Sequence, residues 1–286
     1  MDSRYSALGA DEFERQFNPR AAVPDFATFS EERLVMSTAA QARLRRFQDL
    51  AYGGRAREKL DVFPAEDTPS PVQIFIHGGY WRGGHKDEYS FVASGLVPAG
   101  ITTVVLGYDL CPTVTLDELV DQVRRGILWV YRNIDEYGGD PNRLFLSGNS
   151  AGAHLAAMAL GHDWTKERAA DDLIKGAFLI SGVYELEPVL KITVNQEIQL
   201  KPEMVDRNSP MRHPPRTKNP VMIAVGGNEP SEWIRQSRDY GAVCERNGNA
   251  VGYMEVEGRH HFSITNLLSD PDADLTRALV RFTQRR

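Results

Sequence analysis

The 286-residue sequence has only two cysteines, no apolar segment of membrane-spanning length and no surplus of positive charge. Cys111 and Cys244 do not form a CxxC pair, which argues against a disulfide scaffold and against a zinc ribbon. Apolar runs such as VQIFI and ITTVVL are too short to cross a bilayer, and the first residues do not resemble a signal peptide. A net charge of −6 disfavours nucleic acid and anionic membranes as main partners. We therefore expect a cytoplasmic enzyme or binding protein.

From Lys59 onward, short β-rich runs alternate with amphipathic segments of helical length. Seven runs have strand character: LDVF, VQIFIHGG, ITTVVLGY, RLFLSGNS, GAFLISGV, VMIAVGG and GYMEVEG. Two segments, DELVDQVRRGILWVYRNI and EWIRQSRDYGAVCERNG, have apolar residues at helical spacing, and the second reaches Gly248 as a helix C-cap. Strands that alternate with helices predict an α/β fold with a mostly parallel sheet and helices on both faces.

Two regions depart from this alternation. Residues 1–50 are polar and helix-like in DEFERQF and in FSEERLVMSTAAQARLRRFQDL, which predicts an N-terminal helical arm. Residues 185–219 contain five prolines and no clear period. This composition indicates a short lid-like excursion over the carboxyl edge of the sheet, where ligands of open α/β sheets bind. We expect a single domain over residues 1–286.

The pentapeptide GNSAG at 148–152 places Ser150 between an apolar strand and an Ala-rich segment. A tight turn uses Gly and Ser in the same way, so the pentapeptide alone does not identify a nucleophile. HGGYW at 77–81 follows another strand, where a glycine-rich turn can bring backbone N–H groups to a developing oxyanion. This order of motifs is typical of lipase- and esterase-like hydrolases, and it predicts Ser150 as the nucleophile. The predicted oxyanion donors are the N–H groups of Gly79, Tyr80 and Ala151.

Hydrolases of this kind have an acid and then a histidine downstream of the serine. Glu229 follows the strand VMIAVGG and His261 follows GYMEVEG, so both stand at strand ends. A carboxylate can hold the imidazole in the productive tautomer, and Glu can replace Asp in this role. Glu232 and Asp239 are further carboxylates nearby, and His260 competes with its neighbour. No set of His, Cys, Asp and Glu has metal-ligand spacing, so we expect no metal and no other cofactor.

These residues resemble the kynurenine formamidase (arylformamidase) family of the α/β-hydrolase fold, over nearly the whole chain. HGGYW matches that family's HGGxW signature, and further likeness lies in SAGAHLAAM, ISGVYELEP, RNSPMRH and RQSRDY. The resemblance assigns the nucleophile to Ser150, the histidine to His261 and the acid to position 229. Two residues depart from the family pattern. The family acid is usually Asp where this chain has Glu229, and animal members have His where this chain has Asn149.

The family reaction is the hydrolysis of N-formyl-L-kynurenine to kynurenine and formate. The resemblance therefore implies a serine hydrolase of tryptophan catabolism that acts on a small aromatic amide or ester. An aromatic leaving group suggests an aromatic pocket, with Tyr80, Trp81 and Asn149 as substrate-binding candidates. Trp81 can equally be core packing beneath the oxyanion loop. Arg82, or an arginine from 207–216, is the candidate partner of a substrate carboxylate.

Two other functions fit the same motifs. A carboxylesterase or arylamidase that acts on other acylated arylamines, carbamates or small esters would have the same fold and triad. A non-catalytic hydrolase fold that binds a ligand or a partner is the remaining alternative. Such proteins typically lose the serine, the acid or the histidine, whereas this chain retains all three. The assembly state stays open, with a homodimer as one option.

Overall fold

A mostly parallel sheet organises the chain in its computed structural model, which describes residue 5 and residues 8–285. Its strands are β1 (Phe47–Ala51), β2 (Lys59–Phe63), β3 (Ser70–Ile76), β4 (Thr102–Leu106), β5 (Gly139–Asn149), β6 (Ile174–Ile180), β7 (Val221–Gly226) and β8 (Val251–Val256). They lie in the order β1-β2-β4-β3-β5-β6-β7-β8. The β1–β2 and β2–β4 pairs are antiparallel, and every other neighbouring pair is parallel. The predicted fold class is confirmed, and all seven predicted strands are present.

Helices connect the strands and cover the sheet. They are α1 (Ala10–Phe17), α2 (Pro19–Ala22), α3 (Phe26–Arg43), α4 (Ala93–Leu96), α5 (Leu116–Asn133), α6 (Ala151–Leu160), α7 (Asn195–Ile198), α8 (Pro202–Asn208), α9 (Ser231–Arg246), α10 (Ser263–Asn266) and α11 (Asp274–Thr283). Both segments with helical spacing form helices, α5 and α9. Beyond the end of α9, Gly248 has a φ of 90°, as expected for a glycine that terminates a helix. Within the described residues, no helix is both long enough and apolar enough to span a membrane.

Alternate strand residues contribute to two separate hydrophobic cores, one on each face of the sheet. Ile74 and Ile76 of β3 belong to the core that includes α5, α6 and α9, whereas Phe75 between them belongs to the core that includes α4, α10 and α11. This division arises because successive side chains of a strand point to opposite faces. Strands β3 and β4 are buried along their whole length, as expected for a parallel sheet covered on both faces.

The N-terminal region is helical only up to the end of α3. The expectation that the whole run FSEERLVMSTAAQARLRRFQDL is helix-like is wrong at its end, because the last residues form β1. In the antiparallel pair, Phe47 lies opposite Val62 and Ala51 lies opposite Lys59. Pairing with β2 offers these residues a sheet partner that is distant in sequence, and tertiary context of this kind outweighs helix propensity.

The stretch 185–219 contains the short helices α7 and α8, joined by irregular chain. Its prolines at 188, 202 and 210 each stand in the first turn of a short helical segment, where the missing N–H has no intrahelical acceptor to lose. The stretch also contacts the N-terminal arm, because Thr193 donates two hydrogen bonds to the Glu14 carboxylate, at 3.0 and 2.5 Å. The assignment of one domain to the whole chain stays a prediction.

Candidate active site

Ser150 stands at the sharp turn between β5 and α6. Its backbone has a φ of 56° and a ψ of −122°, which a non-glycine residue adopts only at an energetic cost. The flanking glycines make the turn sterically feasible. A Cβ on Gly152 would overlap the Ile76 carbonyl oxygen, and a Cβ on Gly148 would lie 2.6 Å from the Gly152 carbonyl carbon. GNSAG therefore folds as a strand-to-helix elbow, which is the local structure that a hydrolase nucleophile requires.

His261 follows β8 and reaches the serine hydroxyl. Its Nε2 atom lies 2.9 Å from Ser150 Oγ, within hydrogen-bond distance. The Trp233 ring packs edge-on against the imidazole, with ring centroids 4.3 Å apart. Only about 5% of His261 is exposed. The packing therefore holds the imidazole in one orientation beside the hydroxyl.

Glu229 follows β7, and its two carboxylate oxygens have different partners. Oε2 lies 2.7 Å from His261 Nδ1. Oε1 accepts hydrogen bonds from the Gly226 N–H, at 2.8 Å, and from the Ser181 hydroxyl. Because an ionised carboxylate accepts and does not donate, the proton of this pair belongs on Nδ1 of His261. Nε2 is then free to accept the hydroxyl proton of Ser150.

Ser181 is a residue of the site that the sequence reasoning missed. It comes directly after β6, has a left-handed backbone with a φ of 50°, and donates to the Glu229 oxygen that does not face the histidine. Together with the Gly226 N–H, it satisfies an oxygen that is fully buried. Ser150 was identified as a polar residue directly after a strand. Ser181 in the segment ISG has the same position and could have been identified in the same way.

The competing acids and histidine have other partners. Glu232 and Asp239 form ion pairs with Arg235 of the same helix, at 2.8 and 2.6 Å. His260 packs edge-on against Phe29, with centroids 4.5 Å apart. Partial burial holds the pKa of His260 below its usual value. The geometry thus favours the acid and the histidine that were predicted first.

The HGGYW loop contains three consecutive residues with a positive φ. Gly79, Tyr80 and Trp81 have φ values of 121°, 52° and 58°, and a Cβ on Gly79 would overlap the Gly83 carbonyl. No described residue accepts a hydrogen bond from the N–H of Gly79 or Tyr80. The N–H of Ala151, at the first position of α6, has no intrahelical acceptor. The role of these three groups as oxyanion donors stays a prediction.

Asn149 and Tyr80 line the cleft that contains Ser150, and both brace the oxyanion loop. Asn149 Oδ1 accepts the Gly78 N–H at 3.0 Å, so the residue before the nucleophile ties β5 to the loop. The Tyr80 hydroxyl donates to the Phe17 carbonyl at 2.9 Å, which joins the loop to the end of α1. Both residues are placed where substrate contacts are predicted, and those contacts stay predictions.

Trp81 does not line the cleft, so its interpretation as a substrate-binding residue needs correction. The side chain is fully buried in the core, and its Nε1–H donates to His154 Nδ1 at 3.1 Å. His154 in turn donates from Nε2 to the Asn208 carbonyl at 2.7 Å, and burial lowers the pKa of His154 to about 4. The indole N–H thus finds a neutral imidazole acceptor beneath the loop. Core packing, the other interpretation of this residue, is the correct one.

His77, at the start of the loop, is a scaffold residue. Its Nδ1–H donates to the Gly78 carbonyl at 2.8 Å, and its ring stacks on Tyr108 with centroids 4.1 Å apart. The Tyr108 hydroxyl donates to the His77 carbonyl at 2.5 Å. Burial lowers the pKa of His77 to about 3, so the ring is neutral at physiological pH. A neutral, stacked imidazole fixes the point from which the oxyanion loop begins.

A cleft of about 680 Å³, including its open mouth, contains the Ser150 hydroxyl. Part of its lining belongs to the predicted site: Gly79, Tyr80, Asn149, Ser150 and His261. Another part comes from the N-terminal arm: Arg20, Phe26, Ser30 and Arg33. Among the lining residues that the structure describes, none comes from 185–219, although Glu197 of that stretch binds Arg82 of the cleft. The arm therefore contributes more of the cleft than the proline-rich excursion does.

The predicted partners of a substrate carboxylate were Arg82 and the arginines of 207–216. Of these, Arg82 alone is among the described residues that line the cleft. The arginines of 207–216 bind aspartates instead, at N···O distances between 2.5 and 3.4 Å. Arg20 and Arg33 line the cleft and were not anticipated. No motif marks them, because they lie on the arm, far from Ser150 in sequence.

The arrangement can perform nucleophilic catalysis on a carbonyl group. In such a reaction Ser150 would be the nucleophile, His261 the base beside it, and Glu229 the buried carboxylate that orients the base. Across residues 8–285 and residue 5, no cluster of three or more His, Cys, Asp and Glu side chains is placed to hold a metal ion.

The chain is similar to known hydrolases along most of its length. The family model of the α/β-hydrolase fold matches residues 73–265. The kynurenine formamidase of Danio rerio is 36% identical over 292 residues, which cover 98% of this chain and 98% of that protein. The isoprenylcysteine alpha-carbonyl methylesterase of Arabidopsis thaliana is 31% identical over 228 residues, which cover 74% of this chain and 53% of that protein. Among solved structures, a candidate thioesterase from Silicibacter sp. tm1040 matches with a TM-score of 0.82 and 26% identity, over 93% of this chain and 98% of that one.

Proposed function

Because this chain belongs to the kynurenine formamidase family of the α/β-hydrolase fold, we propose that it hydrolyses N-formyl arylamines, with N-formyl-L-kynurenine as the foremost substrate. The predicted family and the assignment to hydrolases of amide or ester bonds are confirmed by the match over 98% of both chains. The products of the proposed reaction are L-kynurenine and formate. Such an activity would belong to tryptophan catabolism, and we expect it in the cytoplasm.

One geometric observation carries the proposal: hydrogen-bond distances connect Ser150 Oγ to His261 Nε2, at 2.9 Å, and His261 Nδ1 to Glu229, at 2.7 Å. In the first step, Ser150 Oγ attacks the formyl carbon while its proton passes to His261 Nε2. The imidazolium that forms lies against the buried carboxylate of Glu229, which stabilises its charge. A weakly acidic hydroxyl thereby becomes an effective nucleophile.

The attack places a negative charge on the formyl oxygen. We assign the N–H groups of Gly79, Tyr80 and Ala151 to this oxygen, because none of them donates to another described residue. The imidazolium of His261 then protonates the departing arylamine nitrogen as the C–N bond breaks. Water deprotonated by the same imidazole attacks the formyl-enzyme, releases formate and restores the Ser150 hydroxyl.

Ester hydrolysis is the second candidate, and the similarity to the Arabidopsis methylesterase favours it. The same three residues would act in the same order, because an ester and a formamide both react through an acyl-enzyme. The two reactions differ in the leaving group. An arylamine nitrogen requires a proton from the imidazolium as it departs, whereas a phenolate leaves with less assistance.

Kinetics on a substrate panel test the proposal directly. We would measure kcat/KM for N-formyl-L-kynurenine, a simple N-formylarylamine, an N-acetylarylamine, an aryl carbamate and an aryl ester. The proposal predicts that the formyl compounds are the preferred amides, because a formyl group is the smallest acyl group that the cleft must hold beside Ser150. Turnover of the ester with no turnover of either formamide would contradict it. Ser150→Ala serves as the control for background hydrolysis.

A further inference from the structure

We propose that Arg33, together with Arg20, binds a carboxylate group of the substrate and makes the cleft selective for aromatic substrates that contain a carboxylate. This inference rests on the proposed hydrolase function. It concerns the part of the substrate that does not react, so Arg33 and Arg20 are specificity-determining residues and take no part in bond breaking.

Arg33 is a nearly buried cation without a carboxylate partner among the described residues. About 8% of the residue is exposed, and it lines the cleft. Its guanidinium donates only to neutral acceptors, which are the Phe29 carbonyl at 3.3 Å, the Ser30 hydroxyl at 3.0 Å and the Tyr89 hydroxyl at 2.5 Å. No carboxylate of the described chain forms an ion pair with it. Burying a charge is costly unless a counter-ion accompanies it, so an anion is expected beside this guanidinium.

The unused donors of Arg33 match a carboxylate. A guanidinium has five N–H groups in a planar fork. Nε and one N–H on each of Nη1 and Nη2 already donate within the protein. One N–H on each terminal nitrogen therefore remains, and N–H groups of a guanidinium are strong donors to carboxylate oxygens.

Arg20 adds a second cation to the same cleft. Its guanidinium lies over the Phe26 ring, 4.8 Å from the centroid, and it forms no ion pair within the described part of the chain. Partial burial, followed by the positive charges of Arg82 and Arg33, holds the pKa of Arg20 below its usual value. The repulsion between like charges around one cavity decreases when an anion binds between them.

The charges that line the cleft favour a monoanion. Arg82 already pairs with Glu197. Glu88 is the carboxylate among the described lining residues, and it forms no ion pair with Arg20 or Arg33. Arg20, Arg33 and Glu88 together leave one unit of positive charge in the lining of the cleft. A single carboxylate neutralises this charge, whereas a dianion such as a phosphate would leave one excess negative charge in the cleft.

A matched pair of substrates isolates the carboxylate. 3-Formamidobenzoate and 3-formamidobenzamide contain the same scissile bond and differ in one charge. We expect the wild type to prefer the benzoate in kcat/KM by about 10- to 100-fold, the range of a charge-assisted hydrogen-bonded contact. In Arg33→Met this preference should fall to within about threefold of unity, mainly through a higher KM for the benzoate. Arg33→Lys, which keeps the charge but loses the fork, should retain part of the preference.

Arg15→Met is the matched control. Arg15 lies on the same arm, in α1, but it is exposed and pairs with Glu12 at 2.6 Å. This variant makes the same change in net charge as Arg33→Met and should leave the benzoate-to-benzamide ratio unchanged. Arg20→Met should lower the ratio by a smaller factor than Arg33→Met, because Arg20 is more exposed and a solvated ion contributes less.

Two results would overturn the inference. One is a wild type without preference for the benzoate. The other is an equal loss for both substrates in Arg33→Met, which would mean that the arginine only ties α3 to Tyr89. If Arg33→Met does not fold in thermal melts, Arg20→Met and competitive inhibition of the wild type by benzoate against benzamide decide the question. If no formamide reacts, the proposed function fails, and 3-acetoxybenzoate with 3-acetoxybenzamide still measures carboxylate selectivity.

Discussion

Glu229→Gln is the change that tests the site most sharply, because the structure predicts which way the new amide points. In the wild type, Oε1 accepts from the Gly226 N–H and from the Ser181 hydroxyl, while Oε2 faces His261 Nδ1. The glutamine oxygen should therefore take the Oε1 position, where it can accept hydrogen bonds from Gly226 and Ser181. Its NH₂ group is then directed at Nδ1.

This orientation reverses the histidine tautomer. An NH₂ group donates, so Nδ1 of His261 must become an acceptor and the ring proton moves to Nε2. Nε2 then points an N–H at Ser150 and cannot take the hydroxyl proton. The amide also carries no charge to stabilise an imidazolium. The corresponding change in other triad hydrolases lowers kcat about 10⁴-fold through the wrong tautomer, and we expect a loss of the same order here.

Stability should change far less than activity. Gln is isosteric with Glu, and it keeps an acceptor for both donors at Oε1. We would measure kcat and KM for the best formamide substrate and for an aryl ester, with thermal melts of both proteins. A kcat within tenfold of the wild type, in a protein that melts normally, would show that the orienting acid is not at this position. Glu232→Gln, on the next helix and paired with Arg235, is the control and should be close to neutral.

Three further predictions follow from the same geometry. Ser150→Ala should remove nearly all turnover, and a fluorophosphonate probe should label the wild type but not this variant; full labelling of the variant would disprove the nucleophile. His261→Ala should cost about 10⁴-fold in kcat, whereas His260→Ala should cost much less, since His260 packs on Phe29; the reverse ranking would contradict the assignment. Ser181→Ala should lower kcat by about tenfold with little change in KM, because one hydrogen bond to a charged group is lost. Equal activity in Ser181→Ala and the wild type would show that Gly226 alone holds the carboxylate.

Features that depend on short stretches of sequence were predictable. Seven strands were predictable from short apolar runs followed by turn residues. Helices α5 and α9 were predictable from the helical spacing of their apolar residues. Ser150, Glu229 and His261 were recognisable because each follows a strand, and the carboxyl ends of neighbouring strands meet at one edge of a parallel sheet. The distances between these side chains agree with that reasoning. Their catalytic roles stay predictions until the variants are measured.

Features that depend on a distant partner were not predictable. FQDL forms β1 only because β2 pairs with it, and the segment itself has no strong strand signal. Trp81 is adjacent to a predicted oxyanion donor, and adjacency suggested a pocket wall. Its side chain instead packs inward, where His154 accepts the indole N–H. The position of one side chain relative to a loop depends on the core beneath it, and no local pattern encodes that core.

The residues of the N-terminal arm that line the cleft could not be predicted from local sequence either. An arginine on a helix is normally solvated, and nothing in the local sequence of α3 separates Arg33 from the arginines that pair on the surface. What distinguishes Arg33 is its environment, since it is nearly buried and its partners are neutral. The catalytic residues can be found by motif because acyl transfer demands a fixed constellation. Substrate selection requires no fixed set of residues. The residues proposed for it can therefore be identified only in the folded structure, where the arm lines the cleft.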